Sequence, residues 1–130
     1  MDRDVYSGRL KLHGEEHGKT LLAANNYANS LIRLERFKEA RKLMRKMTPV
    51  AQRVLGEPSE TTLWMKWNYA GALYQDPDAP LDDLREAVTM LEDAERIARR
   101  VFGAAYPLTR AIAADLPKLR DELRARSAPP

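Results

Sequence analysis

Two histidines and a glutamate near the amino terminus have the types and spacing of a metal site. His13, Glu16 and His17 spell H-x-x-E-H, a pattern of zinc peptidases in which two histidines one helical turn apart bind the metal and the glutamate activates its water. Such a site requires residues 13–17 to form one continuous helical turn. It also requires a third protein ligand elsewhere in the chain.

The surroundings of these histidines recur twice along the chain. The stretch HGEEHGKTL (13–21) aligns with LGEPSETTL (55–63) and FGAAYPLTR (102–110), at spacings of 42 and 47 residues. Downstream, NNYANSL (25–31) matches WNYAGAL (67–73). The positions shared by all three units are a glycine and a threonine: Gly14, Gly56 and Gly103, and Thr20, Thr62 and Thr109. The five additional residues of the second spacing lie between Leu73 and Ala87 and predict a longer, proline-punctuated turn there.

Apolar residues recur at helical spacing within each unit. In the first unit they cover 22–34 and then 37–54, and in the second they cover 63–74 and then 81–102. Each repeated glycine follows such an apolar stripe, at a position where a left-handed C-cap costs glycine little. No stretch alternates as a half-buried strand does. We therefore predict an all-α protein built from helix pairs.

The repeat argues against the metal site. Gly14 lies inside the H-x-x-E-H pattern, at the position where each unit ends a helix. The residues equivalent to His13 and His17 are Leu55 and Ser59 in the second unit, and Phe102 and Tyr106 in the third. No third ligand is identifiable. We predict that His13 is a helix-end packing residue and His17 a turn residue, and that the protein has no metal, no cofactor and no catalytic residues.

Composition predicts a soluble protein with one domain. The chain has 130 residues, no cysteine and a net charge of +3, and no apolar run approaches the roughly 20 residues of a membrane span. Its first residues, MDRDVYSGRL, are charged from the second position onward and do not resemble a signal peptide. We expect a cytoplasmic protein that does not enter a membrane.

The recurring residues resemble a known repeat family. The run L-G-E-x-x-x-x-T-L, then N-N-Y-A or W-N-Y-A, an E-A and a second long helix is similar to the 42-residue tetratricopeptide repeat of kinesin light chain. The third unit matches in part, because Pro117 replaces the alanine of the first two units. The resemblance implies a tetratricopeptide-like α-solenoid of about two and a half helix-pair repeats. The expected single domain at 1–126 has a lone helix at about 2–12, repeat one at 18–55, repeat two at 60–102 and a half repeat at 106–126, followed by a flexible tail at 127–130.

The resemblance also implies a binding groove. In the family, the first helix of each pair lines a concave groove that holds a peptide segment of a partner protein. Matching positions here are Asn25, Asn26, Asn29, Arg33, Trp64, Trp67, Asn68 and Lys118. Asparagine is a poor helix former, so the asparagines either bind a peptide backbone or, at Asn26 and Asn68, clamp neighbouring helices. Trp64 and Trp67 either anchor the ligand from the groove or pack in the core.

Charge is segregated between two segments. Residues 33–53 carry eight basic and two acidic residues, whereas residues 76–95 carry eight acidic residues and one basic residue. Successive second helices lying side by side would pair these charges with little gain in stability. Alternatively, the cations of the first segment attract an acidic partner, and the residues in question are Arg33, Arg36, Arg41, Lys42 and Arg45.

These patterns favour a protein-binding module over an enzyme. We predict a scaffold that binds a protein or peptide partner, with acidic residues favoured in the ligand. The alternative is a nucleic-acid-binding helical repeat that uses the basic helix at 33–53, although that helix has little aromatic interleaving. A short array of stacked repeats would also allow end-to-end self-association.

Overall fold

The computed structural model describes residues 2–128, which form six α-helices and no strand. The helices are α1 (Asp2–His13), α2 (Gly18–Arg33), α3 (Phe37–Leu55), α4 (Glu60–Gln75), α5 (Leu81–Phe102) and α6 (Pro107–Ser127). Met1, Pro129 and Pro130, which belong to the predicted domain and tail, lie outside the described residues. The all-α prediction is confirmed.

The helices pack in two layers. In one layer α2 packs against α4, and α4 packs against α6. In the other layer α3 lies against both α2 and α4, and α5 lies against both α4 and α6. Helix α1 packs on α2 as α3 packs on α4 and α5 on α6. This is the helix-pair solenoid that the repeat predicts, since each pair covers the apolar face of the next.

The core lies between the layers, where small residues allow close helix packing. Ala40 and Ala87, at equivalent positions of α3 and α5, are both completely buried. The largest fully buried side chains come from all of the helices except α1 and are leucines, methionines and one isoleucine, including Leu21, Met44 and Leu63. Interdigitated aliphatic side chains around alanine contacts produce the density of a normal protein interior.

The repeated glycines end helices as the sequence predicts, with one difference in conformation. Gly14, Gly56 and Gly103 have φ values of 79°, 91° and 90°. At Gly56 and Gly103 the ψ values are 156° and 162°, which correspond to the mirror image of extended backbone and not to a left-handed helical cap. A residue with a Cβ rarely adopts this conformation, so glycine directs the chain from one helix pair to the next.

The five additional residues of the second unit are divided between a loop and a helix. Helices α2 and α4 both have 16 residues, whereas α3 has 19 and α5 has 22. The loop before α3 covers 34–36, and the loop before α5 covers 76–80. Two residues therefore lengthen the loop and three extend the start of α5, so the predicted longer turn accounts for only part of the insertion.

The two ends of the array differ slightly from the expected boundaries. Helix α1 includes Gly8 and extends to His13, and its buried Tyr6 stacks on Tyr27 of α2 with ring centroids 5.9 Å apart. At the other end, α6 continues through Pro117 and includes Ser127, which the sequence placed in the tail. No helix within residues 2–128 is both long enough and apolar enough to cross a membrane.

Candidate partner-binding surface

The faces of α2, α4 and α6 that point away from α3 and α5 form one surface, here called the inner surface. Residues three, four, seven and eleven apart share a helix face, and the groove positions implied by the sequence follow this spacing. They are Asn25, Asn26, Asn29 and Arg33 on α2, Trp64, Trp67 and Asn68 on α4, and Lys118 on α6. All of them are at least partly exposed except Asn68, which is buried.

Trp64 and Trp67 form an aromatic pair on the inner surface. Their ring centroids are 5.2 Å apart and the ring planes meet at 81°, an edge-to-face contact. Both side chains are half-buried and pack against the core. The indole N–H of Trp67 is buried and has no hydrogen-bond partner in the described part of the chain. One part of each tryptophan therefore packs against the core and another part remains accessible on the inner surface. The ligand-anchoring role of the pair stays a prediction.

The four asparagines divide into two kinds. The Asn68 side chain is only 3% exposed, and its amide donates a hydrogen bond of 2.7 Å to Oδ1 of Asn25 on the neighbouring α2. Asn68 is therefore a clamp between α2 and α4, the alternative considered for it, and Asn25 is its partner. Asn26 is exposed and Asn29 is half-buried, and within residues 2–128 neither side chain makes a hydrogen bond. Asn26 and Asn29 thus have carboxamides without a side-chain partner in the described chain, and their role in binding stays a prediction.

The two cations proposed for the groove lie on different helices and are both exposed. Arg33 ends α2 and borders a cleft of about 470 Å³ formed with the start of α1, where Asp2 and Asp4 also line the wall. Lys118 on α6 forms a 3.7 Å ion pair with Asp115 of the same helix. Exposed pairs of this kind contribute little to stability, so Lys118 can exchange its partner for a ligand carboxylate.

The segregated charges meet at the outer side of the fold. Arg41 lies 3.3 Å from Asp76 and 3.8 Å from Asp83, and Arg45 lies 3.1 Å from Asp83. The Arg41 and Asp76 side chains are 14% and 7% exposed, so this pair is largely buried. The backbones of α3 and α5 do not pack directly against each other, in contrast to the predicted side-by-side arrangement. Long arginine side chains bridge from α3 to the start of α5 and the loop before it.

A tyrosine takes part in the same network. The Arg45 guanidinium donates a 2.8 Å hydrogen bond to the hydroxyl oxygen of Tyr69, and burial raises the pKa of Tyr69. Five of the eight basic residues in 33–53 form ion pairs: Arg36, Arg41, Arg45, Lys46 and Arg53. This pairing weakens the nucleic-acid alternative, because a phosphate backbone would have to compete with carboxylates already in place.

The two histidines form a stacked pair at the turn between α1 and α2. His13 is the last residue of α1, and His17 caps α2 by accepting a 3.1 Å hydrogen bond at Nδ1 from the backbone N–H of Lys19. Their rings stack with centroids 4.2 Å apart, as the rings of the equivalent Phe102 and Tyr106 do at 4.7 Å. Desolvation lowers the pKa of His13, and the neighbouring His17 lowers it further by a smaller amount. In residues 2–128 no three His, Cys, Asp or Glu side chains are grouped as metal ligands.

Comparison with known proteins agrees with the repeat register. Residues 20–60 match the family model described as tetratricopeptide repeat. The match covers nearly all of α2, all of α3 and the first residue of α4. No curated protein and no solved structure matched the chain.

Proposed function

We propose that this chain, whose residues 20–60 match the tetratricopeptide repeat, binds a peptide segment of a partner protein on the inner surface. Repeats of this family are generally protein–protein interaction modules. The proposal rests on a difference in side-chain hydrogen bonding among the four asparagines. Asn68 and Asn25 hold the helices together, whereas Asn26 and Asn29 lie on the same surface without a partner in the described chain.

The inner surface offers the two kinds of contact that an extended peptide needs. The carboxamides of Asn26 and Asn29 can each donate and accept, and so can satisfy a peptide backbone N–H and C=O together. The Trp64 and Trp67 pair offers partly exposed aromatic area beside them. Aromatic residues that pack in place before binding lose little entropy on association and are common binding hot spots.

Charge then favours acidic residues in the ligand. Arg33 is exposed at the end of α2, and Lys118 is exposed on α6, two helices away in the same layer. We expect an affinity in the micromolar range, because a surface of two to three repeats is short. The affinity should decrease as salt is added, because exposed charges are screened beyond about 8 to 10 Å at physiological ionic strength.

Peptide selection followed by mapping on labelled protein tests this function. Peptides selected on the domain from a random library should shift the NMR signals of Asn26, Asn29 and the tryptophan indoles. Asn26→Ala should weaken binding without unfolding the protein, and Trp64→Ala should weaken it more. A matched control for charge compares Arg33→Glu with Lys42→Glu, since Lys42 is equally exposed but lies on α3. Ligands that shift α3 and α5 while the inner surface stays silent would refute the proposal.

A further inference from the structure

One lysine of the chain is buried. Lys66 on α4 is only 4% exposed, whereas the other six lysines, Lys11, Lys19, Lys38, Lys42, Lys46 and Lys118, are all exposed. Within residues 2–128 the Lys66 ammonium has neither an ion pair nor a hydrogen bond. The nitrogen atom itself is not among the fully buried unpaired polar atoms, so it keeps some access to solvent. An unpaired ammonium that is largely withdrawn from water loses part of its hydration without compensation.

The fold itself does not need a lysine at this position. In the repeat register Lys66 is equivalent to Ala24, which is completely buried, and to Ala113, which is half-buried. The methyl group of alanine fills the equivalent place in the first unit. The second unit therefore carries a long amine where the architecture accepts alanine, and structural packing alone does not explain this amine.

Lys66 lines a cleft on the outer side of the molecule. The cleft has a volume of about 760 Å³ and lies between α4, α5 and the end of α3, away from the inner surface. Met90 and Ile97 of α5 line it with apolar area, and Arg96 and Arg100 line it with guanidinium groups. The buried amine therefore lines a space large enough for a small molecule.

The charged groups around the amine define what the cleft can hold. Arg96 is paired with Asp93 of the same helix, whereas Arg100 has no ion pair in the described chain. Glu57, from the loop before α4, and Glu86 of α5 also line the cleft, and α3 contributes the neutral Gln52. Asp93 lines the cleft as well. Arg100 is therefore the lining guanidinium without an ion pair in the described chain, and it is the group that would pair with a single anionic group of a ligand.

We propose that Lys66 is a nucleophilic amine that forms an imine with a small aldehyde or ketone bearing one anionic group. The neutral amine nitrogen attacks the carbonyl carbon, and a carbon–nitrogen bond forms. The carbonyl oxygen then leaves as water together with the two amine hydrogens, so that no oxidant or reductant is needed. Arg100 holds the anionic group of the ligand, and Met90 and Ile97 contact its carbon skeleton.

The protonation state of the amine supports this chemistry. Desolvation lowers the pKa of Lys66, and the opposing effect of Glu57 is smaller. Since only the neutral amine is nucleophilic, a lowered pKa increases the reactive fraction near neutral pH.

Competitive labelling tests the proposal. If Lys66 is merely buried it should be labelled slowest of the lysines, whereas a nucleophilic Lys66 should be labelled fastest. The full chain is treated with glyoxylate and cyanoborohydride, which reduces any imine, and the modified lysines are mapped by mass spectrometry over time. We expect Lys66 to react fastest of the seven lysines, with a rate that stops increasing at a pH below the ordinary lysine pKa. Label that accumulates on the six exposed lysines while Lys66 is spared overturns the proposal.

Matched variants distinguish the contribution of the Lys66 amine to labelling from that of the side chains around it. Lys66→Met should abolish the fast site, whereas Lys118→Met should leave it unchanged. If Lys66→Met does not fold, Lys66→Ala restores the residue type of the first repeat and serves instead.

Arg100→Gln should slow labelling by glyoxylate but not by the uncharged acetaldehyde. Equal effects on both probes, or none on either, would refute the role of Arg100 and the anionic class of ligand. Peptide binding at the inner surface is not needed for any of these results.

Discussion

The clamp between Asn25 and Asn68 predicts a measurable coupling between α2 and α4. The Asn68 amide donates to Oδ1 of Asn25 over 2.7 Å, and Asn68 is 3% exposed. A typical intramolecular hydrogen bond contributes about 1 kcal/mol to the free energy of unfolding. Alanine at either position would regain about 0.5 kcal/mol, because asparagine is the poorer helix former. Each single substitution therefore combines the lost hydrogen bond with this gain and with the cost of leaving the partner side chain unpaired.

A double-mutant cycle removes that bias. Asn25→Ala, Asn68→Ala and the double variant are unfolded with urea, and their free energies of unfolding are compared by circular dichroism. Helix propensity cancels in the cycle, so the coupling energy should be about 1 kcal/mol. The control pair is Asn26→Ala with Asn68→Ala, which should be additive because Asn26 is exposed and makes no side-chain hydrogen bond.

A coupling energy below about 0.3 kcal/mol would refute the clamp, because additivity within that range is normal for residues without contact. Asn68 would then be free to serve a ligand, as the family resemblance implies. If Asn26 and Asn68 couple while Asn25 does not, the register of α2 against α4 is wrong by one residue.

Four further perturbations have defined outcomes. Ala40→Leu should destabilise the protein by about 1 to 3 kcal/mol in urea unfolding, because Ala40 is completely buried and a larger side chain overpacks the site. Arg41→Ala should cost about 3 kcal/mol in the same measurement, because it leaves the largely buried Asp76 unpaired. His17→Ala should cost about 0.5 to 1 kcal/mol through the lost helix cap, and zinc should leave the wild-type melting temperature unchanged. Lys66→Met should stabilise the protein at neutral pH, and this gain should shrink as pH rises toward 10.5, because the lowered pKa of Lys66 means that the unfolded chain binds the extra proton.

Each of these predictions has a control or a contradicting result. Lys42→Leu places the same side chain on the exposed face of α3 and should be tolerated. Arg85→Ala breaks an ion pair whose Asp82 side chain is 92% exposed, and should cost under about 0.5 kcal/mol. A stoichiometric zinc site, or a Lys66→Met gain that is independent of pH, would contradict the corresponding structural account.

Periodicity and repetition in the sequence determined the helices and their order. Apolar residues at helical spacing predicted α2 to α5, because burial of one face is a local property of the pattern, whereas α1 and α6 were expected from the repeat resemblance. The recurrence of Gly56 and Gly103 located the turns, because a positive φ restricts the residue type at that position. The same alignment predicted a helix-end position for His13 and a turn position for His17, and their rings stack as those of their counterparts in the third unit do.

Only the tertiary structure decided the depth and partner of each polar side chain. Asn26 and Asn68 occupy equivalent positions, yet one is exposed and the other is buried, because α4 packs on the preceding α2 and no described helix of the same layer precedes α2. The Arg41 pair joins residues that are distant in sequence, so composition showed complementary charge but not which groups meet.

Part of what distinguishes Lys66 is visible in the sequence alone. It stands in the apolar stretch TLWMKWNYA, opposite Ala24 in the repeat alignment, and this mismatch was a visible signal. Its burial depends on α5 and on the end of α3, which close around it only after folding. A helical pattern specifies the face on which a residue lies, whereas the neighbouring helices determine how much water reaches it.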